Sequence, residues 1–504
     1  MVNIVLISPY DNVFAIGLRV LSSCLKKEGH SVKLLFLTGD HAELYKDSVL
    51  NEIVNLSKDA DVIGVSLMTN FFARAVQLTQ GIKKRIDVPV IWGGIHPTVR
   101  PIEALNYADM VCLGEGEESL VELVAKIKSR EEYLKVRGIW FKHQKEIIKN
   151  EIRPLIKDLS SIPFQDFDYE THYILVNDHL LKVDESLLRK NMTGHYTTVA
   201  SRGCFFECSY CANSALNKLN PNERGIRKRD VESIMAELTM VKKRLPFIKF
   251  IQLDDDAFLA YTKEEITDFA KQYKRDIGLP LGVTGISPIN INVEKIALLV
   301  DSGLKYVRMG IQTASERTKK LYKRYHSNEQ VEKAAKLMNQ FKNNLDLIVF
   351  DIILDNPWET DDDLIATLMF LTRLPTPYFI SIYSLTFYPG TELYDKAIKE
   401  GVIKDGENDV YNKFYGICKK TYLNRLFFLL RDYAAFGFSI SPMVMSMLTN
   451  KKNRYLRINW LFYYILRAFT IPFSTIKFIR KGYMEIRKGN FSKIIAYLRG
   501  KLKI

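Results

Sequence analysis

Three cysteines, Cys204, Cys208 and Cys211, lie within one short loop of this 504-residue sequence. Their Cys-x-x-x-Cys-x-x-Cys spacing offers three thiolates, which are the soft ligands that iron–sulfur clusters take. A [4Fe–4S] cluster takes four ligands, so three protein thiolates leave one iron open to bind and reduce a small molecule. The alternatives are a zinc site or three buried thiols. Zinc usually takes four ligands in two pairs, and no second Cys/His pair of that kind follows. The spacing therefore favours an iron–sulfur cluster.

The residues around these cysteines carry a more specific signal. Residues 201–213 read Ser-Arg-Gly-Cys-Phe-Phe-Glu-Cys-Ser-Tyr-Cys-Ala-Asn, with an aromatic residue, Tyr210, directly before the last cysteine. This pattern resembles the radical S-adenosylmethionine (SAM) enzymes. The resemblance implies that the three cysteines bind a [4Fe–4S] cluster, that Tyr210 lies beside the cofactors and that SAM binds to the open iron. It also implies cleavage of SAM to a 5′-deoxyadenosyl radical, with an external one-electron reductant of the flavodoxin or ferredoxin type.

The segments that must position this loop alternate between strands and helices over residues 195–400. The alternation predicts about six βα units and hence a partial (β/α)6 TIM-type barrel rather than a closed eight-fold one. Functional side chains in such a fold lie at the carboxyl ends of the strands. The candidates at these ends are Asp255, Asp256, Ser287 and Gln312.

The resemblance suggests a role for each of these strand ends in binding SAM. The stretch with Asp255 and Asp256 resembles the place where the SAM amino group is held, and Gln312 stands at a position that is often Glu. A neutral amide could reach the ribose or methionine part of SAM but lacks the charge. Helix capping and solvated loop acids are the alternative for the aspartates, and the sequence leaves both open.

Residues 1–140 form a second alternating region, of short Val/Ile/Leu strands and amphipathic helices. It predicts a parallel, doubly wound, Rossmann-like sheet, whose ligands lie off the carboxyl ends of the strands. Glycines there let a large planar ligand approach the backbone, while hydroxyls and amides can bond its side arms. Tight turns are the alternative reason for glycine. The candidate residues at three successive strand ends are Ser66 and Thr69, then Gly93, Gly94, His96 and Thr98, then Gly114, Glu115 and Gly116.

In this order the three strand ends resemble the cobalamin-binding domains that precede many radical SAM domains, which implies bound cobalamin. Cobalamin proteins that replace the lower cobalt ligand carry Asp-x-His-x-x-Gly after the first strand, whereas residues 8–17 contain no histidine. The cobalt would then have an open or water-bound lower face. His96 is predicted to pack against or bond the corrin periphery. A degenerate domain that has lost its corrin is the alternative.

Composition places the chain among folded, multidomain proteins of a reducing compartment. It is 47% apolar and 12% aromatic, and its length suggests two to four domains. The three remaining cysteines, Cys24, Cys112 and Cys418, lie in apolar surroundings and are predicted to be buried thiols. The first residues are typical of a strand and not of a signal peptide, so a cytoplasmic location is expected.

The net charge of +14 is concentrated in the last part of the chain. Residues 451–504 contain 14 lysines and arginines and one glutamate, which leaves +1 for all other residues. Residues 141–194 are predicted to be a linker, and residues 401–504 a basic, aromatic helical domain without a convincing membrane span. Three interpretations of this domain stay open: peripheral contact with an anionic membrane at its inner face, simple capping of the barrel, and RNA binding as the least favoured.

Residues 1 to about 400 thus resemble class B methyltransferase-like, cobalamin-dependent radical SAM enzymes. The resemblance implies methylation of an unactivated carbon in a small molecule or lipid. One alternative is a non-methylating member of the family that catalyses a cyclisation, ring contraction or oxidation. Another is an electron-transfer or binding protein that does not cleave SAM. The three-cysteine loop argues against the latter, because clusters that only transfer electrons usually have four protein ligands.

Overall fold

Two largely parallel β-sheets form the framework of the protein. The computed structural model describes residues 1–40, 42–451 and 458–470. The elements of the first sheet and its helices are, in chain order, β1 (Asn3–Ser8), α1 (Ile16–Lys27), β2 (Ser31–Phe36), α2 (Asp47–Ser57), β3 (Val62–Ser66), α3 (Phe72–Lys83), β4 (Val90–Gly93), α4 (Ile95–Val99), α5 (Pro101–Ala104), β5 (Met110–Cys112), α6 (Glu117–Ser129), β6 (Ile139–His143), β7 (Glu146–Ile148), β8 (His172–Val176) and β9 (His179–Lys182).

The first sheet has the doubly wound topology that the alternating pattern predicts. Its strand order is β7-β6-β5-β4-β3-β1-β2-β8-β9, and the strands from β5 to β8 in this order are parallel. The central strands are almost wholly buried, because helices cover both faces and the side chains are Val, Ile and Leu. The Rossmann-like fold class of this domain is therefore confirmed.

The interval predicted as a linker contributes four strands to the edges of this sheet. The β6–β7 hairpin pairs antiparallel with β5, while β8 pairs parallel with β2 and carries β9. A buried cation anchors the segment before β8: Arg19 lies between the rings of Phe36 and Phe167 and donates to the carbonyl of Asp166 at 2.8 Å. The linker prediction thus missed short strands that have no clear alternation and are held by such tertiary contacts.

The second sheet and its surroundings follow directly along the chain. Three of its helices, at residues 263, 328 and 361, begin with capping boxes that satisfy their first backbone N–H groups. The elements are α7 (Glu185–Met192), β10 (His195–Thr198), β11 (Ser201–Arg202), α8 (Ala212–Leu219), β12 (Arg227–Lys228), α9 (Val231–Arg244), β13 (Phe250–Leu253), α10 (Lys263–Gln272), β14 (Leu281–Ile286), α11 (Val293–Ser302), β15 (Leu304–Gln312), α12 (Glu316–Tyr322), α13 (Asn328–Asn339), β16 (Leu347–Leu354), α14 (Asp361–Leu371), β17 (Phe379–Ser384) and α15 (Glu392–Lys399).

Six parallel strands in the order β10-β13-β14-β15-β16-β17 form an open, partial barrel, as the sequence predicts. Side chains alternate along its strands. On β15, Val307, Met309 and Ile311 are buried, whereas Arg308 and Gln312 between and after them are partly accessible. The short ribbon β11–β12 stands apart from the sheet and pairs antiparallel, with Ser201 opposite Lys228.

The last described elements are helical. They are α16 (Tyr422–Ala435), α17 (Pro442–Thr449) and a further helix, α18 (residues 458–470). Helix α16 buries Leu426 and Phe427 completely and joins the core of the barrel beside β17 and α14. Among the described residues, none of the helices has the length and apolar character needed to cross a membrane.

Candidate active site

A cavity of about 470 Å³ lies between the two domains. One wall is formed at the carboxyl ends of β1, β3, β4 and β5, and the other by the segment 201–203, helix α8 and the loop after β13. Its volume falls in the range of about 300–1,000 Å³ that small-molecule sites occupy. The topology thus brings the ligand edge of the first sheet against the residues that flank the three cysteines; we call this space the interdomain cavity.

Most of the candidate residues of the first domain line this cavity. They are Ser66, Gly93, Gly94, Thr98, Gly114, Glu115 and Gly116. Thr98 connects two of the turns, since its hydroxyl donates to the carbonyl of Gly94 at 2.7 Å and accepts from the backbone N–H of Gly114 at 3.1 Å.

Glycine is required at several places on this wall. Gly94 has a φ of +98°, and a Cβ there would lie 2.8 Å from the carbonyl oxygen of Leu67. At Gly64, which the sequence-based prediction did not include, a Cβ would lie 2.7 Å from a methyl group of Leu6. Leucine and isoleucine side chains complete this glycine-rich surface. Such a wall fits a large, flat, partly apolar group such as cobalamin.

Thr69 and His96 do not line the cavity, contrary to the expectation that they contact the cofactor. His96 is completely buried, with Nδ1 3.3 Å from the Thr69 hydroxyl and its ring 4.8 Å from that of Phe72. Burial, reinforced by the Arg100 guanidinium, lowers the pKa of His96 to about 4. Its Nε2 has no hydrogen-bond partner in the part of the chain that the structure describes. His96 therefore packs in the protein core behind the cavity wall.

Asp255 also differs from its predicted role. Its buried carboxylate accepts hydrogen bonds from the backbone N–H groups of Ala200 at 2.9 Å and Ser201 at 2.5 Å, and from the Ser201 hydroxyl at 2.8 Å. Burial raises the pKa of Asp255 to about 7 in spite of these bonds. Asp255 thus holds the chain where it enters the cysteine loop (residues 203–211) and does not face the cavity.

The cysteine loop lies against the partial barrel. Cys211 is the residue before α8, Cys208 is buried, and Cys204 and Cys211 are half-buried. Arg324 donates from Nη1 to the sulfur of Cys208 at 3.6 Å and from Nη2 to the carbonyl of Gly310 at 2.7 Å. The ring of Tyr210 packs against that of Tyr322, with centroids 4.9 Å apart.

Burial raises the pKa of Cys211 to about 12 and also raises that of Cys204, and each thiol is affected by Asp256 and by neighbouring cysteines. The thiols are therefore close enough to interact electrostatically. Within the described residues, no three His, Cys, Asp or Glu side chains are arranged to hold a single metal ion. The donor set of three thiols beside a guanidinium fits a cluster bound through thiolates, since binding of iron replaces the thiol protons.

Asp256 lies between the cysteines and the cavity. Its side chain is exposed to the cavity and hydrogen-bonds Asn213, which lines the same wall. Although it borders the cavity, the Asp256 carboxyl group is partly desolvated by the surrounding protein, and this desolvation together with the nearby Asp254 raises its pKa. Asp254 and Asp256 both line the cavity, and their carboxylates could pair there with a cation such as an ammonium group.

Gln312 and Ser287, the other two strand-end candidates, have different surroundings. Gln312 adopts a φ of +64° at the end of β15, and its buried Oε1 has no hydrogen-bond partner among the described residues. Such an unpaired acceptor in a strained position suits a ligand donor, as SAM would offer. Ser287 instead belongs to a local turn, in which its N–H donates to Asn290 Oδ1 at 3.0 Å and its hydroxyl accepts from Ile289 N–H at 3.4 Å.

Glu115 lines the cavity but is occupied by an interdomain ion-pair cluster, defined here as Glu115, Glu117, Arg202 and Arg227. Arg202 pairs with Glu115 at 3.0 Å and with Glu117 at 2.6 Å, and Arg227 pairs with Glu115 at 2.8 Å. Burial opposes ionisation, yet the guanidiniums of Arg227 and Arg202 hold the pKa of Glu115 below its usual value. The cluster fastens the β11–β12 ribbon, and with it the cysteine loop, to the first domain.

Sequence reasoning missed several residues of this site. Asp254, Asn213, Asn217, Arg202 and Arg227 line the cavity, and Arg324 contacts Cys208. Proximity in the sequence could have identified three of these residues. Arg202 and Asn213 lie beside the cysteine loop, and Asp254 directly precedes the candidates Asp255 and Asp256. Arg324 lies 113 residues beyond Cys211 and belongs to no motif, so only the folded structure brings it to the site.

Two family models match the chain. The B12 binding domain matches residues 2–124, and the radical SAM superfamily matches residues 198–371. These two segments contain the glycine-rich cavity wall and the cysteine loop, respectively.

Curated relatives resemble most of the chain. An uncharacterized methyltransferase of Pyrococcus horikoshii is 28% identical over 77% of this chain and 79% of that protein. The bacteriochlorophyllide d C-8(2)-methyltransferase of Chlorobaculum tepidum is 23% identical over 78% and 81%. The anaerobic magnesium-protoporphyrin IX monomethyl ester cyclase of Synechocystis sp. is 23% identical over 79% and 75%.

The fold is similar to that of the radical SAM methyltransferase TsrM from Kitasatospora setae, solved with cobalamin and a [4Fe–4S] cluster bound. The TM-score is 0.61, with 18% identity over 79% of this chain and 75% of that one. By its two domains and their order, this chain is a cobalamin-dependent radical SAM enzyme, whose cofactors are cobalamin, SAM and a [4Fe–4S] cluster, and it is similar to proteins that are named methyltransferases.

Proposed function

We propose that this enzyme transfers a methyl group to an unactivated carbon of a small molecule or lipid. The observation that carries the proposal is the interdomain cavity, which has the glycine-rich wall of the B12 binding domain on one side and the flank of the cysteine loop on the other. A methyl donor and a radical generator must face a common substrate for such a transfer. A single space between the two domains meets this requirement.

The residues of the chain divide the task of holding the cofactors. Cys204, Cys208 and Cys211 are proposed to hold the [4Fe–4S] cluster. Asp256, Asn213 and Gln312 are proposed to hold SAM, and the glycines at the ends of β4 and β5 to accommodate the corrin. When bound, these groups supply one-electron cleavage of SAM, hydrogen abstraction and methyl transfer. That chemistry belongs to the cofactors, and the protein contributes orientation and electrostatics.

Arg324 and Asp256 place opposite charges near the cysteines. The Arg324 guanidinium donates to the sulfur of Cys208 at 3.6 Å and so places a positive charge beside it. The Asp256 carboxylate faces the cavity, where it can pair with an ammonium group. The leucine and isoleucine side chains of the cavity wall keep water away from the reacting centre.

The relatives support methyl transfer but also include one enzyme of another type. Two of the three curated relatives are named methyltransferases, and one of them acts at a carbon position by its name. The third is named a cyclase, which favours a non-methylating radical reaction as the second candidate. The two functions differ in what happens to the methyl group of SAM, so isotope transfer separates them.

The test is an anaerobic incubation of the reconstituted enzyme with methyl-deuterated SAM, hydroxocobalamin, a reductant and an extract of small molecules and lipids. Methyl transfer to carbon predicts both S-adenosylhomocysteine and 5′-deoxyadenosine, together with a product that gains one deuterated methyl group on carbon. The Cys208→Ala variant should form no 5′-deoxyadenosine, whereas the matched Cys418→Ala variant, outside the loop, should behave as the wild type. Formation of 5′-deoxyadenosine with an altered but unmethylated product would favour the cyclase-type reaction. Undiminished 5′-deoxyadenosine from Cys208→Ala would refute the cluster assignment.

A further inference from the structure

Helix α18 presents an apolar face away from the protein. Its inner side contacts α16: the Tyr433 hydroxyl donates to the carbonyl of Leu466 at 3.0 Å, and Arg467 pairs with Asp432. Asn459 and Tyr463 are buried on this side. The opposite side exposes six large apolar residues: Ile458, Leu461, Phe462, Tyr464, Ile465 and Phe469.

This exposed face is unusual for a surface helix. Leu461 and Phe469 are 63% and 64% exposed, and no charged residue interrupts the face between residues 458 and 469. A helix that faces only water normally carries Lys, Glu and other polar residues on that side. A run of exposed apolar residues on one face marks a contact surface.

The charge of the neighbouring sequence distinguishes among the possible occupants. Residues 471–504, which follow α18 in the sequence, contain nine lysines and arginines and one glutamate, interspersed with Ile, Phe, Tyr and Leu. An apolar helix face next to a strongly basic segment matches the lipid–water boundary of an anionic bilayer, which takes up apolar side chains and attracts cations. A protein partner or a second copy of the chain would not need this density of positive charge.

We infer that the exposed face of α18 inserts into the surface of anionic membranes and holds the enzyme there. The helix would lie in the plane of the interface, because its apolar residues are exposed on one face only and its thirteen described residues are too few to span the apolar core of a bilayer. Leu461 and Phe469, two helical turns apart, enter the acyl region, while Arg467 on the inner side stays paired with Asp432. The inference does not depend on the reaction that the enzyme catalyses.

The test is flotation of the full-length holoenzyme with vesicles of phosphatidylglycerol and phosphatidylcholine, compared with vesicles of phosphatidylcholine alone. The L461E/F469E variant should bind the anionic vesicles at least about tenfold more weakly, because two charges then replace the inserted side chains. The matched I398E variant, which places a charge at an exposed apolar residue of α15, should bind as the wild type. Higher salt should weaken the binding of the wild type.

Four outcomes would overturn the inference: no binding of the wild type to anionic vesicles, equal binding of L461E/F469E, equal loss in I398E, or binding that does not depend on anionic lipid. Self-association of the wild type that L461E/F469E abolishes, without vesicle binding, would identify a second copy as the occupant. Binding of RNA by the wild type, without vesicle binding, would identify a nucleic acid as the partner.

A second measurement covers the case in which L461E/F469E does not fold. The F469W variant keeps the face apolar, and its added tryptophan fluorescence, relative to the wild type, should be quenched by lipids brominated on their acyl chains. Absence of quenching in vesicle-bound F469W would contradict insertion of this face. Retention of the cobalamin absorption spectrum in every variant verifies that the first domain is folded.

Discussion

At the scale of single residues, the site combines cysteine thiols and a carboxyl group with a nearby cation. Cys204 and Cys211 interact electrostatically with each other and with Asp256, whereas Arg324 donates to Cys208 at 3.6 Å. Arg324 is also fixed by the carbonyl of Gly310, so its guanidinium is held in place before any cluster binds. A hydrogen bond to a thiolate ligand lowers the negative charge that the cluster must share, and such outer contacts usually tune both affinity and potential.

Replacing Arg324 with glutamine is expected to weaken retention of the cluster by about 10- to 100-fold, because Cys208 loses its charged donor. Arg324→Lys should retain the cluster better than Arg324→Gln but less well than the wild type. Lysine keeps the positive charge but lacks the two-pronged guanidinium that bonds both Cys208 and the carbonyl of Gly310. The measurement is the rate at which an anaerobic sample loses iron to a chelator. Arg373→Gln, at an exposed position, serves as the control. Equal rates for Arg324→Gln and the wild type would show that Arg324 only shapes the loop.

His96 should make the first domain sensitive to acid. Its folded pKa of about 4, lowered by burial and by Arg100, lies below the value of about 6.5 in an unfolded chain. Between these two values only the unfolded state takes up the proton, so the free energy of unfolding falls as the pH falls. The loss due to His96 alone amounts to about 2 kcal/mol at about pH 5.

The His96→Asn variant tests this expectation, because asparagine cannot titrate and can still hydrogen-bond Thr69. Urea unfolding at about pH 7 and about pH 5 should show a smaller loss of stability on acidification for His96→Asn than for the wild type, by about 2 kcal/mol. His143→Asn, at an exposed position of β6, is the control. An equal pH dependence of His96→Asn and the wild type would contradict a neutral, buried His96.

Single residues were predictable from the sequence where a motif fixed their position, and less so where side-chain direction mattered. The spacing of Cys204, Cys208 and Cys211 suffices to place them in one loop. Asp255 and Asp256 are adjacent, yet one carboxylate turns inward to bond Ala200 and Ser201 and the other faces the cavity. Both residues have the same chemistry, so only the conformation of the folded chain decides which carboxylate bonds the backbone and which faces the cavity.

At the scale of elements, the ion-pair cluster joins a turn of one domain to a ribbon of the other. Glu115 lies in the turn before α6 and Glu117 is the first residue of α6, whereas Arg202 and Arg227 lie on β11 and β12. The ribbon enters and leaves the region of the cysteine loop, so its attachment sets the distance between the two walls of the cavity. Charges held this far from water stabilise an interface chiefly because loss of one partner leaves the other desolvated.

Glu115→Gln is therefore expected to destabilise the contact between the domains by about 2–5 kcal/mol. Faster hydrogen exchange of the backbone over residues 200–212, together with a lower unfolding midpoint, would report the loosened ribbon. The control is Glu118→Gln at the start of α6, whose exposed pair with Arg153 is worth about 0–1 kcal/mol. Unchanged exchange in Glu115→Gln would contradict a positioning role of the cluster.

The main elements of both domains were predictable from their alternating pattern, because buried parallel strands need long Val, Ile and Leu runs with helices between them. The edge strands β6 to β9 were not. They are short, some of their residues are polar, and they pair only because the neighbouring strands offer unpaired edges. Tertiary pairing, and not local propensity, defines such strands.

At the scale of the whole molecule, the C-terminal region unites both domains. Tyr411 stacks on Phe72 with ring centroids 4.7 Å apart and donates to Glu103 at 2.6 Å, and Asn70 donates to the carbonyl of Lys413 at 2.9 Å. Helix α16 completes the barrel core, while α18 turns its apolar face outward. Neighbouring helices thus combine a contribution to the barrel core with an exposed apolar face, which we infer to be a contact surface. The sequence could not separate them, because both need clustered Leu, Phe and Tyr.

Two truncations of the chain should therefore behave differently. A chain that ends at residue 470 keeps every described element that packs on the barrel and loses a segment with a net charge of +8, so it should retain cobalamin and the cluster. A chain that ends at residue 404 loses α16, whose fully buried Leu426 and Phe427 alone contribute about 3–6 kcal/mol. It also loses the contact of Tyr411 with the first domain, and it should aggregate or unfold at a clearly lower temperature. The measurement is thermal unfolding, together with the content of cobalamin and iron.

The variant Leu426→Ala tests the same packing without removing any segment. It should lower the free energy of unfolding by about 2–5 kcal/mol. Wild-type stability of the chain ending at residue 404 would mean that α16 lies on the barrel without contributing to its core.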